Sequence, residues 1–519
     1  MLLSSFFRKN ITMVNRKKEF ANLVTSLNLI PKDKIKLEKE NVQQSPYRQQ
    51  FHVESPFGML GDPNGFSYFN GEYHLFHQWF PMKYSSNPNY FQQGWFHWVS
   101  PNLVDWKPIG EAMENDTEYD KYGVYSGSAI PFEDKLFLMY NGNNWTNTET
   151  DDWRRLPSQL GAFMDRNGRI KKLSKPLISG PIAGYTGHFR DPKVFKKGDT
   201  YYVIIGIQTE KMTGTVVVYQ SKDLLNWEKL GEVKTNFVKK GYMWECPDYF
   251  EISDQGVLLF CPQGLTSQEN KFLNAFQACY AISDSINFRD LSFSADNFKE
   301  IDLGFDFYAP QTMLAPDGRR ILSAWACIMN SNSPTIQYHY DGCEIFPREL
   351  TVKNKILYQK PVNEIKELYK EKYSGNSEVT DLTPLKVGSE NCRDIRLTLN
   401  CKNAQQFILD LFADQNNQHH LRLIFNRLKK RFILDRSKAG ITFEDEFGNE
   451  RSCELNWDQQ ITIRIIQDIS SAEIFLNDGE KVFTARVFSD SSNNIIFAHS
   501  LGGKSTLKYV IYQLRKMEQ

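Results

Sequence analysis

The sequence predicts an all-β protein: a five-bladed β-propeller followed by a C-terminal β-sandwich. Three observations predict it. Aromatic residues make up 14% of the 519, with 37 Phe, 24 Tyr and 10 Trp, a usage that suits strands. From about residue 46 the chain is a series of short β-branched and aromatic runs separated by turn residues. One unit, a turn residue followed by an apolar or alternating run, recurs at Gly71 (GEYHLFHQWF), Asp134 (DKLFLMYNG), Gly198 (GDTYYVIIGI), Gly256 (GVLLFCPQG) and Gly318 (GRRILSAWA). The intervals are 63, 64, 58 and 62 residues. Each interval holds about four strands of ~5–6 residues with hairpin turns. Five such units at a fixed period are the signature of a propeller; one long β-sandwich is the alternative.

The elements follow in chain order. Residues 1–45, rich in Lys, Glu and Asn, read as a partly helical or flexible leader. Its start, MLLSSFFRKN, places apolar residues before basic ones, the reverse of a secretory signal. No export signal is expected, and Met13 is an alternative start. Residues 46–358 form the propeller. A second echo within it, SPNLVDW at 100–106 and SKDLLNW at 221–227, shortens to SDSINF at 283–288. Residues 359–373 carry apolar side chains at 362, 365, 368 and 369, a spacing that predicts a linker helix. Residues 374–519 return to strands, with alternation clearest in IRLTLNC and ITIRI and a hairpin turn at Asn477-Asp478-Gly479. About ten strands in this segment predict the sandwich.

Charge and composition exclude several functions. Lys+Arg and Asp+Glu are both 62, so the formal net charge is zero and the chain is a poor candidate for binding nucleic acid. No apolar run approaches the ~18 residues that span a bilayer, so no membrane partner is expected. The eight cysteines contain no CxxC pair, and none precedes residue 246. That pattern suits a reducing, cytoplasmic location rather than a disulfide scaffold. Gly503-Lys504-Ser505 looks like the end of a phosphate-binding loop, but Ala498 stands where that loop needs Gly. His419-His420 sits in a polar turn with no third ligand nearby. Neither a metal nor a cofactor is expected.

Three acidic residues occupy unusual settings: Asp62 in GMLGDPNGFSYF, Asp191 in HFRDPKVF and Glu245 in GYMWECPDYF. Each is followed by Pro at the first or second position, which restricts the backbone and aims the carboxylate. Singly, each has an ordinary explanation: a generic turn, an Arg190–Asp191 ion pair, a capped turn. Jointly, they fall one per repeat. The first strands of successive propeller blades line one channel, so carboxylates 129 and 54 residues apart converge there. Glycoside hydrolysis needs such a group: one carboxylate as nucleophile and one carboxylic acid as proton donor. Trp244, Cys246 and nearby aromatic residues are expected to desolvate Glu245 and raise its pKa.

With these residues in view, the chain resembles glycoside hydrolase family 32, the invertase and fructanase family, over residues 46–515. The motifs are DPNG with Asp62, FHQW with Gln78, YSGSA with Tyr125 and Ser126, FRDP with Arg190 and Asp191, ECPD with Glu245 and Cys246, FYAPQT at 307–312 and FPREL at 346–350. DRSKAG at 435–440, FGNERSC at 447–453 and EIFLNDGEKVFTARVF at 473–488 resemble the intracellular bacterial branch that acts on sucrose 6-phosphate. The resemblance implies a propeller followed by a sandwich. It also implies Asp62 as the nucleophile on C2 of a fructosyl unit and Glu245 as general acid and then base. Asp191 would hold fructose hydroxyls and stabilise the transition state. Gln78, Tyr125, Ser126, Arg190, Cys246 and Trp325 would shape the sugar pocket, with Cys246 either a thiol tuning Glu245 or a packing residue.

Two departures stand out. Gly61 replaces the Asn that usually precedes the nucleophile, at a cost of ~1 kcal/mol for one lost hydrogen bond. The aromatic near the pocket is either Phe91 or Trp95. The implied substrates are sucrose 6-phosphate and sucrose, with a fructan hydrolase or transfructosylase, or a non-catalytic sugar-binding protein, as alternatives. A phosphate needs a local basic cluster, and Arg154 and Arg155 in DDWRRLPSQ provide one; pairing of both with Asp151 and Asp152 is the competing expectation.

Overall fold

The computed structural model describes all residues except 1–25, 86–89, 147–153, 181, 239–240, 330, 458–459 and 519. The protein is built almost entirely of strands, with one α-helix, α1 (Lys32–Gln43), among the described residues. Before residue 362, five antiparallel sheets of four or five strands follow one another along the chain. Their first strands are β1 (Gly58–Phe69), β2 (Val124–Phe132), β3 (Tyr185–Lys197), β4 (Met243–Ile252) and β5 (Tyr308–Leu314). These five pack side by side in a closed cycle: β1 on β2, β2 on β3, β3 on β4, β4 on β5 and β5 back on β1. The short strand Tyr340–Asp341 pairs parallel with β1, tying the end of the cycle to its beginning.

The repeat seen in the sequence is the hairpin that leaves each first strand. Asn70-Gly71, Glu133-Asp134, Gly198-Asp199, Ser253-Asp254 and Asp317-Gly318 all lie in or beside these turns. Each of the five has a left-handed residue, at Asn70, Glu133, Gly198, Ser253 and Asp254, and Gly318. The second echo encodes the turn after the third strand of a sheet. In the first sheet Asn102 N–H bonds Ser100 Oγ, Leu103 is left-handed and Trp106 Nε1 bonds Leu103 O at 2.8 Å. In the third sheet Ser221, Leu224 and Trp227 repeat that arrangement, with Trp227 Nε1 2.9 Å from Leu224 O.

Adjacent first strands share no ladder, so side chains join them. Asn64 Oδ1 accepts from Gly127 N at 2.8 Å, and Ser128 Oγ bonds both Pro192 O and Val194 N. Asp248 Oδ2 accepts from Thr312 N at 2.6 Å. Gln311 accepts from Phe66 N at 3.0 Å and donates to Gly127 O at 2.9 Å. These buried bonds fix the spacing of the five strands at the centre, where the three carboxylates sit.

The C-terminal part is two six-stranded antiparallel sheets, packed over an apolar core that includes Leu397, Phe407, Leu423, Phe432, Ile463 and Phe483. The linker differs from the helix expected over 359–373. Lys360 and Pro361 finish a strand, Asn363–Leu368 form a 3-10 helix, and Tyr369–Val379 is a strand paired with Lys504–Leu514. The apolar residues at 365 and 368 are buried in both descriptions; ladder bonds to a twelve-stranded body outweigh the helical spacing of a short segment.

A charged seam joins the two halves. Fully buried Arg348 pairs with Glu473 at 2.6 Å and Asp302 at 3.0 Å. His52 lies between Asp468 at 2.7 Å and Glu473 at 3.0 Å. Burial alone would lower its pKa, but bonds to these two carboxylates outweigh it and push it up to about 9. Arg486 reaches Asp341 at 2.6 Å. One apolar cluster also crosses the seam, joining Phe51 and Phe346 to Ile466, Phe475 and Val482.

Candidate active site

Each first strand that supplies a site residue is interrupted by a β-bulge at that residue. The register shifts between Leu60 and Pro63, Val124 and Gly127, Arg190 and Lys193, Glu245 and Asp248, and Tyr308 and Gln311. Asp62, Asp191, Cys246 and Ala309 each precede a proline at the break, where a missing N–H breaks no ladder bond. Asp191, Cys246 and Ala309 have φ of 64°, 46° and 49°, a left-handed setting uncommon for residues with a side chain. Bulges re-aim side chains, and here they turn them toward the centre of the cycle.

Asp62 Oδ2 accepts from Ser126 Oγ at 2.5 Å and from Gln78 Nε2 at 3.4 Å, and Gln78 also donates to Ser126 at 2.7 Å. Burial pushes the Asp62 carboxyl up to about 6; the charge of Glu245 adds to this and the Ser126 and Cys246 bonds oppose it. Asp191 Oδ2 accepts from the backbone N–H of Cys246 at 2.9 Å and lies 3.9 Å from Arg190 Nε. Burial pushes it up to about 7 against the pull of Arg190, with Glu245 adding to the rise.

Glu245 behaves differently. Oε1 accepts from Arg190 Nε at 3.1 Å and Nη2 at 2.6 Å; Oε2 accepts from Gln263 Nε2 at 2.6 Å and from Tyr308 Oη. Burial alone would raise its pKa, but the Arg190 charge and these hydrogen bonds outweigh it and hold the carboxyl below its ordinary value. This corrects the expectation of a raised pKa. Glu245 is buried, but four donors satisfy both its oxygens, and the Trp244 ring packs on Phe260. Cys246 Sγ lies 3.6 Å from Asp62 and 3.7 Å from Asp191. Burial and these two carboxylates push its thiol far up, so it stays protonated and serves as a weak donor.

The structure therefore brings together Asp62, Gln78, Ser126, Arg190, Asp191, Glu245 and Cys246. Tyr125 is half-buried beside them, its hydroxyl 3.2 Å from Asn143 Nδ2. Of the two aromatic candidates, Trp95 is fully buried and donates to Tyr125 O at 3.0 Å, whereas Phe91 is half-buried. Trp325 is only 1% exposed. Gly342 lies against it: a Cβ there would sit 2.6 Å from the indole nitrogen and 2.5 Å from Leu60 O. Gly342 thus lies between Trp325 and the strand that carries Asp62. At Gly61 a Cβ would lie 3.3 Å from Gln78 Cβ, so a larger residue there would press on a partner of Asp62.

Arg154 and Arg155 form a two-residue strand paired with Trp145–Thr146. Their side chains leave opposite faces of that strand. Arg155 is half-buried, with its guanidinium 5.0 Å from the Trp145 ring centre, and Arg154 is exposed. Pairing with Asp151 and Asp152 concerns positions outside the described residues.

Three contributors escaped the sequence reading: Tyr308, Gln263 and His188. Tyr308 stands inside FYAPQT. Gln263 closes a second strand, as Gln78 nearly does in the first sheet and Gln208 in the third, so an amide near the end of the repeated run was a usable signal. His188, two residues before Arg190, had none. Among the described residues no group of three or more His, Cys, Asp or Glu is placed to hold a metal ion. A separate cleft of about 1510 Å³ lies between the fourth sheet and the C-terminal sandwich, bordered by Tyr242, Phe272, Arg431 and Lys481.

Residues 52–361 match the N-terminal domain of glycosyl hydrolases family 32, and residues 364–513 match the C-terminal domain of the same family. The chain belongs to glycosyl hydrolase family 32. Among its family 32 relatives, the sucrose-6-phosphate hydrolase of Staphylococcus xylosus is 38% identical over 488 residues, 92% of this chain and 94% of the relative. That of Bacillus subtilis is 32% identical over 92% and 96% of the two chains. The solved sucrose-6-phosphate hydrolase of Lactobacillus gasseri superimposes with a TM-score of 0.85 at 32% identity, covering 95% of this chain and 98% of that one. The GH32 β-fructofuranosidase of Bombyx mori does so with a TM-score of 0.79 at 29% identity, covering 94% and 99%. This family 32 chain is accordingly an all-β glycosidase with its acidic residues at the centre of the strand cycle.

Proposed function

We propose that the protein is a retaining β-fructofuranosidase that cleaves the fructosyl bond of sucrose 6-phosphate and of sucrose, with the five sheets acting as the blades of a propeller. The observation that carries this reading is the convergence of Asp62, Asp191 and Glu245 on one buried centre, where Cys246 bonds both aspartates. Asp62 has one oxygen on Ser126 and Gln78, and Glu245 is gripped by a cation, a phenol and an amide. In this mechanism Asp62 attacks C2 of the fructosyl unit. Glu245 gives its proton to the departing glycosidic oxygen, then takes one from the water that releases fructose. Asp191, aimed by its left-handed backbone, holds fructose hydroxyls and stabilises the positive charge of the transition state.

Glu245 must carry a proton at the first step, although Arg190, Tyr308 and Gln263 favour its carboxylate. A sugar oxygen entering beside Tyr308 competes for the hydrogen bonds that favour the charged form and excludes water, and both effects raise the pKa. Asp191 and Glu245 act on each other's ionisation, so a proton borne by Asp191 near neutrality is available to the pair. All eight cysteines carry free thiols, which supports a reducing, cytoplasmic setting. Among the described residues no helix is long and apolar enough to cross a membrane.

Steady-state kinetics with sucrose 6-phosphate, sucrose and inulin test this reading. The expected kcat/KM order places sucrose 6-phosphate first, sucrose second and inulin last. Failure to release fructose from any of the three would contradict it.

A further inference from the structure

We propose that Arg155 and His188 form an anion-reading wall on the leaving-group side of the site, selecting a hexose phosphate over the neutral hexose. This rests on the fructosidase reading above and names the part of the site that distinguishes its two substrates. Arg155 is placed by two contacts. Its strand pairs with Trp145, over which its guanidinium stacks, and its backbone lies on β3 at Gly187. A Cβ at Gly187 would come 3.0 Å from Arg155 Cβ and 3.2 Å from Arg155 O, so the missing side chain lets the arginine strand approach the strand that carries Arg190 and Asp191.

Burial lowers the Arg155 pKa, and the side chains whose charges act on it next are Tyr125, Arg190, Glu245 and Asp191. That is the neighbourhood of the proton donor, where the leaving sugar departs. Among the described residues no carboxylate lies within ion-pair distance of Arg155. A half-buried guanidinium without such a partner bears a desolvation cost that a docking anion relieves. A neutral sugar provides no such compensation. Arg190 cannot serve the same purpose, because Glu245 already holds it.

His188 supplies the second donor. Its Nδ1 lies 2.8 Å from Arg190 Nη1 and must accept there, because guanidinium only donates. In the neutral ring the hydrogen then sits on Nε2. Burial first, and the charges of Arg190 and Arg155 next, push its pKa down to about 4, so the ring is a neutral donor at working pH. A planar guanidinium fork with one further N–H suits a phosphate with three oxygens to satisfy. Arg154, on the opposite face, takes no part.

Two measurements test the wall. The first is kcat/KM for sucrose 6-phosphate and sucrose in wild type, Arg155→Met, Arg155→Lys and Arg154→Ala. Arg155→Met is expected to lower the ratio between the two substrates at least tenfold, through KM for the phosphorylated sugar. Arg155→Lys should recover part of that loss, and Arg154→Ala should leave the ratio as it is. The second is calorimetric binding of glucose 6-phosphate, which needs no turnover: Arg155→Met is expected to weaken it at least tenfold, about 1.4 kcal/mol. Equal losses on both substrates, or glucose 6-phosphate binding that does not depend on Arg155, would overturn the inference while leaving the fructosidase reading intact. A wild type that binds glucose 6-phosphate through Arg155 yet hydrolyses neither sugar would overturn that reading instead.

Discussion

Glu245→Gln is expected to lower kcat on sucrose by ~10³-fold, within the range a general acid contributes, and to lower it far less on fructosyl fluoride. Fluoride leaves without a proton, so a variant that lacks only the acid keeps its nucleophile and can still form the fructosyl intermediate. Gln preserves the acceptor for Arg190 and nearly the same volume; its amide nitrogen replaces the oxygen that accepts from Gln263 and Tyr308, so those two side chains must turn to accept from it. Asp62→Ala removes the group that forms the bond and should lower kcat by ~10⁴-fold or more on both substrates. The pair of variants separates the two roles. If Glu245→Gln were as inactive on the fluoride as on sucrose, Glu245 would not be the proton donor. The pH dependence carries the same information. In the proposed mechanism Asp62 attacks as a carboxylate, and its pKa is pushed up to about 6, so kcat/KM should fall as the pH drops through about 6 and not through the ordinary aspartate range.

The second large effect concerns stability. Arg348→Met is expected to destabilise the protein by about 3–5 kcal/mol, the cost of breaking a buried ion pair from one side. Arg348 is fully buried, bonds Glu473 and Asp302, and packs between Phe307 and Phe475. Met fills much of that space but leaves two carboxylates without their cation. His52 remains on Glu473 and offsets only part of the loss. Urea unfolding followed by tryptophan fluorescence should show a midpoint well below that of wild type. Arg348→Met with Glu473→Leu should recover part of the loss, because it removes one of the stranded charges. An unchanged midpoint in the single variant would mean that this seam does not hold the two halves together.

Much of this architecture was legible because it repeats. The turn residues at 71, 134, 198, 256 and 318 mark the same hairpin in five successive sheets, and the two LxxW echoes mark the same later turn. The carboxylates were legible because each precedes a proline, and the structure gives the reason: proline sits at the bulge that aims the side chain. The state of Glu245 was hidden. Its partners Arg190, Gln263 and Tyr308 lie 55, 18 and 63 residues away on three other strands, and only the closed cycle brings them to one carboxyl. The linker failed for a related reason, because Tyr369–Val379 answers to a partner strand more than a hundred residues later. Arg154 and Arg155 looked equivalent in sequence; strand pairing sends them to opposite faces.

Asp62 is expected to form a covalent fructosyl intermediate, which an acceptor then intercepts from the same face. The most direct measurement is proton and carbon NMR of the methyl fructoside formed when sucrose is turned over in aqueous methanol. This product does not mutarotate, so its anomeric configuration records the stereochemistry of transfer. Two displacements, the first by Asp62 and the second by methanol activated by Glu245, predict methyl β-D-fructofuranoside with the configuration of the substrate. Methyl α-D-fructofuranoside, the product of a single displacement, would contradict the account.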